Sequence, residues 1–258
     1  MRKIIAVAVP KGGVGKTTTS VNLAASLAIA EKKTLLIDFD PSGACSIYLG
    51  LDACKIKADI FEVFSFTRSM GQAIHKTEIE SLDFIPANVV NVSAEERMGR
   101  ITDNPYLFKH ILDQQVLDSY EYIIIDCPPY LKGLTTIAMI ASDSVIIPVK
   151  AGQFSLSSLK KMINFIMYLR KMNNKLTIEG ILLNMYEPKT NAWAKTEKVL
   201  NEEFESYIFT TTIPKSIALT ESEFYGRPAV LVKAKAPGAI AYLALANEII
   251  SRNLIFST

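Results

Sequence analysis

The 258-residue chain reads as an α/β protein, a doubly wound and mostly parallel sheet with helices on both faces, on three observations. Short, near-continuous apolar runs recur along it, the pattern of strands covered on both sides. Segments of helical period separate these runs, and strand–helix–strand alternation of this kind builds parallel sheets. A glycine-rich stretch ending in Gly15-Lys16-Thr17 joins the first run to the first helical segment.

The first run, residues 4–9, follows Arg2 and Lys3 and stops at Pro10. It is shorter than the ~7–15-residue core of a secretory leader and no small-residue cleavage site follows, so a buried first strand is expected. Residues 16–31 form the first helical segment, with Val21, Ala24, Leu27 and Ala28 on one stripe, and residues 34–39 the second strand. Residues 50–104 are the least regular stretch, expected to hold short helices and loops. Residues 122–126, 144–149 and 178–184 read as further strands, with a helix over 155–172 between the last two. No internal repeat, low-complexity tract or Pro/Gly/Ser-rich linker interrupts the pattern, so residues 1–258 are expected to form one domain.

Composition narrows the class. With 49% hydrophobic and 21% charged residues, disordered and fibrous classes fall away. The net charge of +2, from 28 Lys and Arg against 26 Asp and Glu, is too small to announce a polyanionic partner. Cys45, Cys54 and Cys127 are odd in number and widely spaced; they form no disulfide framework and fit a reducing cytoplasm. No uninterrupted apolar run approaches the roughly 18 residues of a membrane-spanning helix.

The stretch Pro10-Lys11-Gly12-Gly13-Val14-Gly15-Lys16-Thr17-Thr18 carries the first chemistry. Glycines let successive backbone N–H groups converge on phosphate oxygens, and a helix N-terminus adds its positive end. Lys16 is placed to neutralise β- and γ-phosphates, and the Thr17 hydroxyl to take a Mg²⁺ position. A dinucleotide fingerprint is rejected, because its third glycine falls on Thr18. The strict G-x-x-x-x-G-K-[ST] pattern is not met either, since its first glycine falls on Pro10. Lys11, Gly12, Gly13, Val14, Gly15, Lys16, Thr17 and Thr18 are the candidate nucleotide contacts.

The departure at Pro10 comes with a second lysine, Lys11, and K-G-G-x-G-K-[ST] resembles the deviant Walker A motif of the ParA/MinD family of ATPases. The resemblance implies that Lys11 reaches across a nucleotide-sandwich homodimer to the partner's phosphates, a charge supplied in trans as an arginine finger is. Asp38-Phe39-Asp40-Pro41 resembles the start of the family's switch I segment, D-x-D-P-Q-G-N. Carboxylates at the C-terminal end of a strand beside the first lie over the phosphate site. By resemblance Asp40 positions or activates the attacking water and Asp38 helps to hold the metal's water shell. Ser42 stands where the family has Gln, and Ala44 where it has Asn.

Tyr122-Ile123-Ile124-Ile125-Asp126-Cys127-Pro128-Pro129 resembles the partition-ATPase form of a Walker B strand. Asp126 is then the Mg²⁺-side acid, acting through a water because Mg²⁺ sheds its waters reluctantly. Residues 144–149 match the family's next strand. Residues 180–186 resemble the strand before the base-binding region, and Ile213-Pro214 the segment that lies against adenine. Asn184 is either a contact to the base edge or an ordinary strand-end turn residue. Pro237-Gly238 followed by residues 239–250 matches the closing helix. The resemblance runs from about residue 2 to residue 252, is weakest across 50–104, and is closest to the small, Soj-like ParA chromosome and plasmid partition proteins.

That resemblance implies a cytoplasmic, nucleoid-associated ATPase that uses ATP and Mg²⁺ and forms a homodimer when ATP-bound. It also implies non-specific DNA binding and hydrolysis stimulated by a ParB-type partner. DNA contact through phosphates is salt-dependent. Lys189, Lys195, Lys198, Lys215, Arg227, Lys233 and Lys235 are the candidate contacts, with Lys215 replacing the family's arginine and keeping its charge but not its fork. A MinD-like membrane-cycling ATPase needs a basic amphipathic C-terminal helix. Residues 251–258 are short and hold one arginine, so no stable membrane insertion is expected. A metabolic ligase of the dethiobiotin-synthetase type shares the phosphate loop, but the Lys11/Lys16 pair and Asp-Cys-Pro-Pro argue against it. An iron–sulfur carrier wants closely spaced cysteines; here buried packing is expected of all three. His75 and His110 are isolated and receive no role.

Overall fold

The computed structural model describes residues 2–88 and 103–255. Its strands are β1 (Lys3–Val7), β2 (Thr34–Asp38), β3 (His75–Lys76), β4 (Leu82–Ile85), β5 (Tyr122–Asp126), β6 (Ser144–Val149), β7 (Thr177–Tyr186) and β8 (Ile213–Pro214). They form one sheet in the order β3-β4-β2-β5-β1-β6-β7-β8. Every neighbouring pair is parallel except β3 with β4. The helices are α1 (Lys16–Ile29), α2 (Ala44–Tyr48), α3 (Ile60–Phe64), α4 (Met70–Ala73), α5 (Leu107–Leu112), α6 (Leu134–Ala141), α7 (Gln153–Leu169), α8 (Asn191–Phe204), α9 (Ile217–Tyr225), α10 (Ala229–Val232) and α11 (Pro237–Ile255).

Alternation along the strands divides the core in two. Ile4, Ala6, Leu35, Ile37, Ile123 and Ile125 face the layer built by α3 to α8. Ile5, Val7, Leu36, Tyr122 and Ile124 face α1, α10 and α11. Central strands buried on both faces explain why their sequences run apolar without a polar alternate. The register levels their C-terminal ends, with Val7 and Asp38 each opposite Asp126. The loop after β1 and the carboxylates ending β2 and β5 therefore share one edge of the sheet.

The expected strands at 122–126 and 144–149 have those bounds, and the others differ by one or two residues at one or both ends. The first helix ends at Ile29 because Glu31 takes a left-handed conformation (φ +61°), its N–H bonding Ala28 O at 3.0 Å, and Lys32 N–H bonds Leu27 O at 3.0 Å. Glycine usually fills such a terminating position, so no sequence signal marked this end. The stretch 50–104 holds the expected short helices α3 and α4, but also two strands. β4 escaped notice because Asp83 interrupts its apolar run. Asp83 is buried, and its Oδ2 accepts bonds from Tyr120 Oη at 2.6 Å and Lys76 Nζ at 2.9 Å, which holds one carboxylate oxygen inside the sheet, while Oδ1 has no partner among the described residues. Residues 89–102 of that stretch lie outside the described residues, as do 256–258.

Phe39, between the two switch carboxylates, stacks on Phe108 at 4.6 Å between ring centroids and also meets Phe61 and Phe64. This aromatic cluster anchors the start of the loop that carries Asp40. Gly180 in β7 faces the Phe209 ring so closely that a Cβ cannot be added without displacement. Gly180→Ala is expected to destabilise the fold by about 1–3 kcal/mol through overpacking. A chemical-denaturation midpoint equal to wild type would count against that packing. Among the described residues no helix is long and apolar enough to cross a membrane. The end of α11 is instead tied to the body, with Arg252 bonded to Glu248 and lying 4.7 Å from the Phe209 ring centroid.

Candidate functional site

The loop after β1 turns into α1 through Gly13 (φ +64°) and Gly15 (φ +82°), conformations open to glycine at no steric cost. Gly15 is the N-cap of α1, no side chain caps that end, and no acidic residue lies in the first turn. The free N–H groups at such a terminus suit an anion. Lys16 is buried and its Nζ donates to Lys11 O at 2.9 Å, so its ammonium lies within the loop. Burial lowers the Lys16 pKa from its ordinary value, opposed by the charges of Asp126 and Asp40. Lys11 turns its ammonium the other way, donating to Ser155 Oγ at the start of α7 at 2.9 Å. Burial and the neighbouring Lys150 lower its pKa.

Asp126 is fully buried and receives two side-chain hydroxyls of α1, Thr17 Oγ1 on Oδ2 at 2.7 Å and Ser20 Oγ on Oδ1 at 2.8 Å. Burial pushes its pKa up to about 6, against the two hydroxyl donors. Asp38, also fully buried, accepts Asp40 N–H on Oδ1 at 3.1 Å and Cys45 N–H on Oδ2 at 3.0 Å. Burial, then the charge of Asp126, hold its carboxyl well above the usual range, against those two N–H donors. Asp40 reaches further out and accepts Ser42 N–H at 3.0 Å. One hydroxyl and two crowded carboxylates are a hard oxygen donor set, the kind magnesium takes. Thr17, Asp126 and Asp38 therefore fit that ion.

On the far side of the loop, Asn184 is buried at the end of β7. Its Nδ2 donates to Val14 O at 2.8 Å and its Oδ1 accepts Met185 N–H at 2.9 Å. It braces the phosphate loop, and its amide lies against Gly15 where a Cβ would stand. A cavity of about 290 Å³ opens beside it, lined by Gly15, Thr18, Tyr48, Asn184, Pro214 and Glu223 among others. Its place next to the loop suits a nucleoside. Pro214 lines it; Ile213 does not, being fully buried in the core behind.

The structure thus brings the loop, Asp38, Asp40, Asp126, Asn184 and Pro214 together. Sequence reading missed Ser20, Tyr48, Ser155 and Cys45. Ser20 was within reach, four residues after Lys16 and so on the same helical face. Tyr48 shares a hydrogen bond with Thr18 Oγ1 at 3.2 Å and donates to Glu223 of α9 at 3.3 Å, a bridge no local pattern announces. One expectation about cysteine needs correction. Cys54 is exposed, on the turn at Ala53–Lys55, rather than buried. Cys45 is buried, but against the metal-side carboxylates, with its thiol donating to Asp126 Oδ2 at 3.5 Å.

The basic candidates are all exposed, but they differ in their engagements. Arg227 holds Glu78 through Nε and Nη2 at 2.7 and 2.6 Å. Lys233 pairs with Glu221, Lys215 with Glu187 at 3.5 Å and Lys198 with Glu202 at 3.9 Å. Lys189, Lys195 and Lys235 carry no ion pair among the described residues.

A parallel sheet, a glycine loop feeding a helix with Lys16 and Thr17, and acids at the ends of neighbouring strands define a phosphate-loop nucleotide hydrolase. Residues 2–178 match the AAA domain family. The chain is 38% identical over 250 residues to the sporulation initiation inhibitor protein Soj of Bacillus subtilis, covering 96% of this chain and 98% of that one. It is 34% identical over 244 residues to the chromosome-partitioning ATPase Soj of Treponema pallidum, covering 94% and 95%. The septum site-determining protein MinD of Pyrococcus horikoshii, solved with Mg-ADP, superposes with a TM-score of 0.81 at 26% identity and covers 96% of each chain. The chain belongs to the ParA/MinD family of partition ATPases. It hydrolyses ATP, with ATP and Mg²⁺ as its cofactors.

Magnesium and ADP together are expected to raise the melting temperature. At a hundredfold excess over Kd, linkage contributes about 2.7 kcal/mol, or roughly 5–10 °C for a chain of this size. Replacing magnesium by EDTA should remove most of that shift in a calorimetric scan. An equal shift in both conditions would exclude Thr17, Asp38 and Asp126 as the magnesium side.

Proposed function

We propose that this chain is a DNA-segregation ATPase whose ATP-bound form pairs as a nucleotide-sandwich homodimer, binds DNA non-specifically and is discharged by a ParB-type partner. The observation that carries the reading is the division between the two loop lysines. Lys16 lies inside the loop, whereas the Lys11 ammonium lies outside it against Ser155, within reach of a facing molecule.

Within one protomer the residues divide the work. The N–H groups of α1 and Lys16 bind the phosphates, Asp40 orients the attacking water, and Thr17, Asp38 and Asp126 hold the metal and its water shell. Magnesium, when bound, neutralises charge between the β- and γ-phosphates. Asn184 keeps the loop in place, and Pro214 flanks the base. Lys11 adds its charge to the partner's phosphates across the dimer.

The link from nucleotide to DNA has support in α2. Cys45 N–H bonds Asp38, and Tyr48, at the end of the same helix, contacts both Thr18 and Glu223 of α9. Gly50 and Gly226 pack backbone to backbone just beyond. The switch loop is thereby joined to the segment carrying Lys215, Arg227, Lys233 and Lys235. Exposed Lys189, Lys195 and Lys235 are the contacts most available to phosphates; Arg227 and Lys233 must first leave their acidic partners. A modest patch becomes effective when dimerisation doubles it, which reconciles DNA binding with a net charge of +2. The protein then acts in the cytoplasm on the nucleoid.

Retention on immobilised DNA of arbitrary sequence, with ATP or ADP across a salt series, tests this. The expected result is retention with ATP only, falling steeply as salt rises. Equal retention in the two nucleotide states, or none at low salt, would overturn it.

A further inference from the structure

The metal-side corner holds a group that ATP hydrolysis leaves unused, the thiol of Cys45. Its Sγ and one carboxylate oxygen each from Asp38 and Asp126 lie within 4.8 Å of one another, and all three residues are fully buried. Magnesium, a hard cation, takes oxygen and has no use for sulfur. Zinc, cobalt and cadmium accept thiolate readily. A tetrahedral ion with bonds of about 2.3 Å to sulfur and 2.1 Å to oxygen spans an S···O edge of roughly 3.6 Å. Cys45 Sγ and Asp126 Oδ2 are already 3.5 Å apart.

We propose that Cys45, with Asp38 and Asp126, forms a site for a borderline or soft divalent cation, and that its occupation competes with magnesium nucleotide and holds the ATPase off. Binding forms one metal–sulfur bond and releases the thiol proton to solvent, with no change of oxidation state. Competition follows from a shared atom. Asp126 Oδ2 is also the acceptor of Thr17 Oγ1 at 2.7 Å, so a cation drawn toward Cys45 takes the oxygen that orients Thr17. The inference rests on the magnesium-side geometry alone and is independent of DNA or any partner.

Cobalt(II) is a suitable probe, because a cobalt–thiolate bond produces charge-transfer absorption in the near ultraviolet. The nucleotide-free full chain, titrated with cobalt, is expected to develop this band, saturating at one cation per chain. Addition of magnesium with ADP removes it. Cys45→Ser loses the band and binds cobalt at least about tenfold more weakly, while its magnesium–ADP binding reports an intact fold. Cys54→Ser, which removes the exposed thiol, keeps the band. Absence of the band from the wild-type protein, its survival in Cys45→Ser, its loss in Cys54→Ser or its persistence under magnesium ADP each overturns the proposal. The magnesium-ADP arm needs no variant, so the test stands even where Cys45→Ser does not fold.

Discussion

Lys16→Ala is expected to lower kcat/KM for ATP by at least about 10²–10³-fold, the scale for losing one preorganised charged donor, and to abolish measurable ATP binding at micromolar protein. The Lys16 ammonium is buried inside the loop, where its field is screened far less than at the surface. Its charge also opposes the burial of Asp126 and in turn is supported by Asp126 and Asp40. Removing it leaves the incoming phosphates facing those acids with only backbone N–H groups between. Lys16→Arg keeps a charge but brings a planar fork larger than the loop admits, and should rescue little. Equilibrium binding of a fluorescent ATP analogue checks the expectation. Wild-type affinity in Lys16→Ala would sink the assignment of the loop.

Lys11→Ala should separate binding from turnover. Lys11 contributes a backbone carbonyl to Lys16, which the substitution preserves, while its own side chain bonds Ser155. Nucleotide affinity of the monomer is therefore expected to stay within a few-fold of wild type. Turnover under dimer-forming conditions should fall by about 10³-fold or more, the range for a charge supplied in trans. A second readout distinguishes this from a damaged loop. Wild-type activity per chain should rise with protein concentration, and that of the variant should stay flat. Undiminished turnover in Lys11→Ala would return the residue to the status of a surface charge.

The parts of the site legible in the sequence are those where one short segment carries both backbone shape and chemistry. Gly13, Gly15, Lys16 and Thr17 sit on one strand-to-helix turn, so their composition alone forecast converging N–H groups and an ammonium placed for phosphates. Asp126 closes an apolar strand and was legible for the same reason. The resemblance that located Asp38, Asp40 and Lys11 extends the same logic to motifs a few residues long. Asn184 shows the limit. Two roles were open, base contact or turn, and the structure adds one that no local pattern announced, its amide bracing Val14 O, 170 positions away in the chain.

β4 and the end of α1 escaped for a different reason. Asp83 inside a strand and Glu31 at a left-handed position contradict local preference, and each is tolerated because the surroundings supply partners. Cys45 is the sharpest case. Nothing adjacent to it in sequence distinguishes a packed thiol from one set against two carboxylates.

The sequence by itself determined the sheet's central strands, the phosphate loop and the identity of the acids. Apolar periodicity and glycine-rich turns are local codes, and a short window contains the whole signal. The tertiary structure alone decided which side chains meet. The level register of β1, β2 and β5 places Asp38 beside Asp126, α1 brings Thr17 and Ser20 onto the same carboxylate, and α2 delivers the Cys45 thiol between them. Such contacts arise between segments remote in the chain. Their geometry is set by how two hydrophobic layers close on one sheet, not by any residue's neighbours in sequence.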